Sequence, residues 1–314
     1  MTVLEKFYQS DIRALSKIIS FVENREEGYR QLLGELYRKV GLGLRIGITG
    51  PPGAGKSTLV NRLVHRFVKS GKTVAVIAVD PTSPFSGGAL LGDRVRMQEF
   101  PAAEQVYFRS MATRGASGGL AAATDNIAVV MEAFGYDVVL IETVGVGQVE
   151  LDIIDACDTV VVTLVPESGD AVQAMKAGLM EISDVMVINK ADRPGSENLI
   201  DELKSALHLQ KRDLDAWQIP IIATEAVNDK NIDLLFEKIL EHDAFARNNG
   251  RFEAHRREQI KKKILNILRN RFQRDFLDNL AGQVTFEEIV EDIYRGRKNP
   301  FQVGENLYDT FGRK

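Results

Sequence analysis

The run GITGPPGAGKSTLV concentrates the residue types that handle phosphate: Gly50, Gly55, Lys56 and Ser57 fit the spacing G-x-x-x-x-G-K-[ST]. The match lies directly after the β-branched run RIGIT and ahead of the amphipathic run LVNRLVHRFV, which is the order strand, loop, helix. Small residues from Gly50 through Pro51, Pro52, Gly53 and Ala54 to Gly55 let successive backbone N–H groups turn inward around a β-phosphate. The helix N-terminus adds its partial positive charge. Lys56 is expected to neutralise β and γ oxygens and Ser57 to reach Mg²⁺, with Thr58 closing the segment.

Mg²⁺ takes oxygen ligands and keeps several waters, so one or two carboxylates are expected near Ser57. Three acids qualify: Asp80 at the end of TVAVIAVD, Asp93 in GGALLGDRVRM, and Glu142 at the end of YDVVLIE. Ligands of open α/β sheets collect at strand ends, which favours Asp80 and Glu142, while Asp93 also reads as a helix cap. Beyond Glu142, a bare backbone N–H at Gly145 could approach a γ-phosphate, and Gly147 gives the segment freedom to swing.

The base is addressed by VMVINKAD, which ends on Asn189, Lys190 and Asp192 in the arrangement N-K-x-D. Asp192 can accept from both the ring N–H and the exocyclic amine of guanine, whereas adenine presents the opposite pattern at that edge. A further strand, IPIIATEAV, delivers Thr224, Glu225 and Ala226, where a backbone N–H would meet the base oxygen; Glu225 stands where a small residue is common.

Such a constellation needs a scaffold of strands ending at one edge. RIGIT, TVAVIAVD, YDVVLIET, DTVVVTLV, DVMVIN and IPIIAT are near-continuous apolar runs separated by helix-length stretches. This texture predicts an α/β fold with a mostly parallel central sheet covered by helices on both faces. Leu4, Phe7, Tyr8, Ile12, Leu15, Ile18, Ile19 and Val22, then Leu32, Leu33, Leu36 and Tyr37, recur at helical steps and predict two amphipathic helices ahead of it. The expected organisation is an N-terminal helical arm over 1–42, a P-loop domain over 43–245 and a helical extension over 246–314.

In that extension ten basic residues face two acids between 247 and 274, while Ile260, Ile264, Ile267, Leu268, Phe272 and Phe276 recur at helical spacing. This reads as a solvated charged face with an apolar stripe packed on a partner or core, not a nucleic-acid surface. The 314 residues carry a net charge of −4, which does not imply a polyanionic partner. A lone cysteine, Cys157, cannot close an internal disulfide and reads as a buried residue of a cytoplasmic protein. No apolar run reaches the length of a membrane span, and the start MTVLEKFYQSDIRALSK lacks a secretory pattern.

With these residues in hand, the chain resembles the methylmalonyl-CoA mutase-associated GTPases of the MeaB or ArgK type, within the SIMIBI class of P-loop NTPases. The resemblance runs through ITGPPGAGKSTL, VDPTSPFSGGALLGDRVRM, FRSMATRGASGGLAAAT, ETVGVGQVE and NKAD. It implies binding of GTP and GDP, escort of an adenosylcobalamin-dependent acyl-CoA mutase with gating of its cofactor loading, and a homodimer formed through the flanking helices. It also implies switches over 80–97 and 142–152, and a third over 166–178 from which Gln173 and Lys176 reach the nucleotide. Val146 stands where Ras-like proteins have a water-orienting glutamine. Slow hydrolysis alone is therefore expected, faster when a partner orders Gln173 and Lys176 or a segment carrying Arg109 and Arg114. A metal-chaperone GTPase would need clustered His or Cys, yet His65, His208, His242 and His255 are scattered. A kinase for an amino-acid transport component would need an acceptor site, for which no motif is found.

Overall fold

A computed structural model describes residues 2–40, 43–80, 105–112, 119–143, 145, 151, 154–166, 178–209, 216–281 and 286–311. Seven strands are described: β1 (Leu44–Thr49), β2 (Val74–Asp80), β3 (Val106–Ala112), β4 (Val138–Glu142), β5 (Thr159–Leu164), β6 (Val185–Asn189) and β7 (Ile221–Thr224). They form one sheet in the order β3-β2-β4-β1-β5-β6-β7, and every pair is parallel. Six correspond to the apolar runs. The seventh, β3, carries Tyr107, Arg109 and Ser110 and does not read as a buried strand because it lies at the sheet edge, paired only with β2.

The helices of this sheet are α1 (Val3–Tyr8), α2 (Ile12–Glu23), α3 (Tyr29–Leu36), α4 (Lys56–Lys69), α5 (Gly119–Phe134), α6 (Leu179–Ile182), α7 (Ser196–Leu209) and α8 (Ile232–Asn248). On one face, Leu59, Val60, Leu63, Val64 and Phe67 of α4 and Ile232, Leu235 and Ile239 of α8 bury against Ile46, Ile48 and Val161. On the other, α5 and α7 pack on Ile77, Ile141 and Val162, and α1–α3 add an outer layer. Three N-terminal helices replace the two that were expected. Ser10, at φ 62°, turns the chain between α1 and α2, and Asp11 caps α2 by accepting from Arg13 and Ala14 amides at 2.7 and 3.2 Å.

Within β1, Arg45 is 3% exposed, with Nε donating to Glu132 Oε1 at 2.7 Å and Nη1 to Asp125 Oδ1 at 2.9 Å. Burial alone would push the guanidinium pKa down, but the two carboxylates outweigh it and push it up. Cys157 is buried, as its solitude suggested.

Residues to Glu253 form one compact unit, and Ala254–Lys314 form a second. The long helix α9 (Arg251–Ala281) runs from the first into the second, followed by α10 (Phe286–Tyr294) and α11 (Pro300–Phe311). Ile260, Ile264, Ile267, Leu268 and Phe272 are exposed. Among the described residues, no helix is long and apolar enough to cross a membrane.

Candidate functional site

The loop between β1 and α4 turns on glycines at φ 146° (Gly50), 79° (Gly53) and 88° (Gly55). At two of them space decides as much as dihedral angle: a Cβ on Gly50 would lie 1.9 Å from the carbonyl oxygen of Thr163, and one on Gly55 would lie 2.3 Å from Asn189 Nδ2. The loop is therefore pressed against β5 and the end of β6. Ala54 is fully buried beneath it, with its N–H donating to Pro51 O at 3.2 Å, while Pro52 and Gly53 are exposed. α4 begins at Lys56, so its first N–H groups face the loop's hollow.

Lys56 is 6% exposed, and Nζ donates to the carbonyls of Gly50 at 2.7 Å and Pro51 at 2.9 Å. Its charge is pinned at the loop's mouth, where it can neutralise phosphate oxygens. The next residue, Ser57, hydrogen-bonds through Oγ to Glu142 Oε1. Glu142 ends β4, in register with Ile48 of β1 and Ala78 of β2, and is 8% exposed. Hydroxyl and carboxylate thus converge on one point, a hard-oxygen pair of the kind Mg²⁺ accepts beside phosphate oxygens and water. No group of three His, Cys, Asp or Glu able to hold a metal ion occurs among the described residues. Asp80 ends β2, two residues beyond Ala78. Asp93, Arg114, Val146, Gly147, Gln173 and Lys176 lie outside the described residues.

Two hydroxyls unannounced by any motif meet at the start of the segment after β4. Thr143 Oγ1 donates to Thr49 Oγ1 at 2.9 Å, and both reach the carbonyl of Gly145, at 3.2 and 3.0 Å. Both threonines are buried. The residue that closes β1 and the residue that follows Glu142 therefore hold Gly145 together.

At the other end of the site, Asn189 is 3% exposed and joins three segments. Nδ2 donates to Ala54 O at 2.8 Å, and Oδ1 accepts from Thr224 Oγ1 and from the Ala226 amide, each at 3.1 Å. Lys190 follows at φ 56°, and Asp192 is exposed at the mouth. Glu225 and Lys230 form an antiparallel bridge whose amides donate to each other's carbonyls at 3.3 and 3.2 Å, so the Glu225 N–H has an acceptor within its own turn. Their side chains also pair, Lys230 Nζ to Glu225 Oε1 at 2.6 Å. That bond, with a second from Asn228, lowers the Glu225 pKa; Glu225, and more weakly Asp192, raise that of Lys230. Lys230 thus pairs with the acid at position 225, a contact that the spacing of VMVINKAD did not reveal.

Arg109 lies within β3, and its guanidinium is paired with Glu23 of α2, both side chains largely buried. That pair ties α2 to the sheet edge; Ser16 Oγ and Tyr107 OH make a second tie at 3.0 Å.

A parallel sheet with a glycine-rich loop, a helix-borne lysine and serine, and an asparagine-lysine-aspartate strand end has the parts of a P-loop nucleotide site. The family model described as methylmalonyl Co-A mutase-associated GTPase MeaB matches residues 15–281. This chain belongs to the MeaB family. A protein of Pyrococcus abyssi named as a candidate GTPase is 44% identical over 315 residues, covering 97% of this chain and 94% of its own. GTPase ArgK of Escherichia coli is 33% identical, with 94% and 90% covered. The methylmalonic aciduria type A homolog of Caenorhabditis elegans is 32% identical, with 95% and 79% covered. Among solved structures, a LAO/AO transport system kinase superposes with a TM-score of 0.74 at 26% identity, covering 99% of this chain and 96% of that one. MeaB membership and the P-loop NTPase fold together support GTPase activity and binding of GTP and GDP.

Proposed function

We propose that this chain is a GTP-operated chaperone of an adenosylcobalamin-dependent acyl-CoA mutase, gating cofactor loading and protecting or reactivating the mutase. The observation that carries the reading is the MeaB match, which runs from α2 to the end of α9 and includes every described element of the site. In this proposal Lys56 and the amides of 50–58 hold the phosphates, and Ser57 and Glu142, with Asp80 and Asp93, serve the cation. Mg²⁺ held there would supply neutralisation of phosphate charge. Asn189, Lys190, Asp192 and the turn at Thr224, Glu225 and Ala226 select guanine, and Gly145 answers the γ-phosphate.

Phosphoryl transfer depends on positioning and charge neutralisation, and Val146 stands where a water-orienting glutamine would be expected. Hydrolysis is therefore slow until the mutase orders Gln173 and Lys176. Residues 246–314 supply the contact of a cytoplasmic homodimer, with 1–42 as the N-terminal arm of a 43–245 catalytic domain.

The test is phosphate release from GTP by the purified protein, alone and with excess mutase. The proposal expects stimulation by the mutase and its capture in a pull-down that depends on a non-hydrolysable GTP analogue; equal rates and no nucleotide-dependent capture would refute it. The similarity to a structure named as a transport-system kinase motivates one rival, in which the γ-phosphate passes to a protein acceptor. Labelled phosphate appearing on a protein instead of in solution would favour that rival.

A further inference from the structure

Arg62 lies on α4, six residues after Lys56, and its guanidinium reaches the turn that follows β7. Nε donates to the carbonyl of Ala226 at 3.0 Å and Nη2 to that of Val227 at 2.8 Å. Ala226, 2% exposed, is therefore gripped through both of its backbone polar groups, its N–H by Asn189 and its carbonyl by Arg62. One helical turn further along α4, Arg66 holds the same turn from below: Nη2 pairs with Asp229 at 2.8 Å and Nε with Asp233 at 2.7 Å.

Two features separate this contact from ordinary surface bridging. The helix that carries Arg62 also begins with Lys56 and Ser57, so one rigid rod, rising ~1.5 Å per residue, spans the phosphate loop and the turn after β7. The second is peptide planarity. The carbonyl of Ala226 and the N–H of Val227 share one plane and point in opposite directions. Drawing that carbonyl toward α4 therefore aims the Val227 N–H away from it. A planar guanidinium supplies two donors in fixed geometry, which a lysine ammonium cannot.

We infer that Arg62 is a positioning residue for base selectivity: by holding the carbonyls of Ala226 and Val227 it fixes the direction in which the amides of this turn meet the 6-oxo group of a guanine nucleotide. The inference rests on the proposed reading of residues 189–192 and 224–226 as the guanine site. Arg62 touches the turn, not the nucleotide, so its loss should weaken recognition of one atom and spare the rest.

The experiment compares GDP with 2,6-diaminopurine riboside diphosphate, which keeps the exocyclic 2-amino group and both phosphates but has an amine in place of the 6-oxo group and, with it, no hydrogen on the ring N1; that second difference lowers its affinity in every variant alike and does not involve Arg62. Binding of both is measured calorimetrically with Mg²⁺ for wild type, Arg62→Ala, Arg62→Lys and Arg66→Ala. In Arg62→Ala, GDP affinity should fall about tenfold, the equivalent of one charge-assisted hydrogen bond, while the analogue changes by less than about twofold. Arg62→Lys should lie between. Arg66→Ala, which loosens the turn without touching either carbonyl, should lower the melting temperature and retain the GDP preference. Because both ligands need the same fold and phosphate loop, their ratio is insensitive to a partly unfolded variant. Parallel weakening of both ligands, an unchanged ratio, or an equal loss of preference in Arg66→Ala would overturn the role of Arg62. A wild type that binds GDP no tighter than the analogue or ADP would instead bring down the guanine reading itself.

Discussion

Replacing Asn189 by aspartate changes one heavy atom and removes the donor of one hydrogen bond. Nδ2 donates to Ala54 O at 2.8 Å, whereas Oδ1 accepts from Thr224 Oγ1 and the Ala226 amide. The orientation is fixed by the Ala226 amide, which can only donate, so the atom facing it must be oxygen. Aspartate keeps that side and sets a carboxylate oxygen against the Ala54 carbonyl, two acceptors face to face in a site 3% exposed. A lost hydrogen bond with a buried partner costs ~1–3 kcal/mol, and an unpaired buried carboxylate adds a similar or larger amount. The expected deficit is about 4 kcal/mol at pH 7, a large part of the ~5–15 kcal/mol that holds a domain together.

The pH dependence carries the diagnostic sign. Burial beside a carbonyl raises the folded-state pKa of the new acid above its unfolded value of ~3.9. The folded state then binds the extra proton, so stability relative to wild type falls as pH rises from the unfolded value to the folded one, and is constant above it. At low pH the protonated oxygen can donate to Ala54 and the deficit closes. Asn189→Ala, which removes all three bonds, should be destabilised without this pH dependence. Urea unfolding of the three proteins between pH 5 and 8 measures both. An Asn189→Asp variant as stable as wild type at pH 7, or one whose deficit ignores pH, would refute the assigned hydrogen-bond geometry.

Gly50→Ala meets the Thr163 carbonyl with no space for its methyl, so the phosphate loop must shift and GTP binding should be lost, whereas Gly53→Ala, with nothing within 4 Å, should cost only ~1–2 kcal/mol of left-handed strain; nucleotide titration of the folded variants separates the two. Glu132→Ala leaves the buried guanidinium of Arg45 with a weakened partner set and should destabilise by ~3–5 kcal/mol, read as a shift in urea midpoint. Burial raises the Asp137 pKa, but hydrogen bonds from the Thr73 amide and hydroxyl and from Lys72 outweigh it, for a net lowering. Its contribution is therefore present above the unfolded value and lost as pH falls through the depressed folded one. Asp137→Asn should cost ~1 kcal/mol at pH 7, a modest figure for a side chain 40% exposed, and the gap from wild type should close in acid.

What could be read from residues alone was whatever local chemistry determines. The phosphate loop is legible because its glycines, lysine and serine are neighbours in the chain and fold into a single strand–loop–helix turn, and Glu142 because an acid at the end of an apolar run stands out against it. β3 was not, since an edge strand tolerates Arg109 and Ser110, and an arginine near glycine-rich sequence looks mobile until Glu23 is found beside it. Nothing in RIGIT marks Gly47, yet a Cβ there would lie 2.5 Å from Ile154 Cδ1 and 2.9 Å from Cys157 Sγ. The threonine pair at 49 and 143, and Arg62 and Lys230, act only through partners distant in the chain, and no spacing rule points to them.

The strand order explains why one short helix can serve the whole site. The connection leaving β1 runs toward β2, while that leaving β4 passes over β1 to β5, so the crevice beside the phosphate loop is where the sheet's winding changes direction. Glu142 lies one strand to one side of β1, and the ends of β6 and β7 lie two and three strands to the other. At ~4.8 Å per strand, the distance from β1 to β7 is about 14 Å, close to the length of an extended nucleotide. A ligand laid across that edge would touch loops from separate strands, each free to move on its own. Asn189, reaching back to Ala54, and Arg62, reaching forward to Ala226, remove that freedom by tying the base end to the phosphate end. In the proposed reading, motion on the loss of a γ-phosphate falls on the other side of β1, where among the described residues the Thr49 and Thr143 hydroxyls lie against the carbonyl of Gly145.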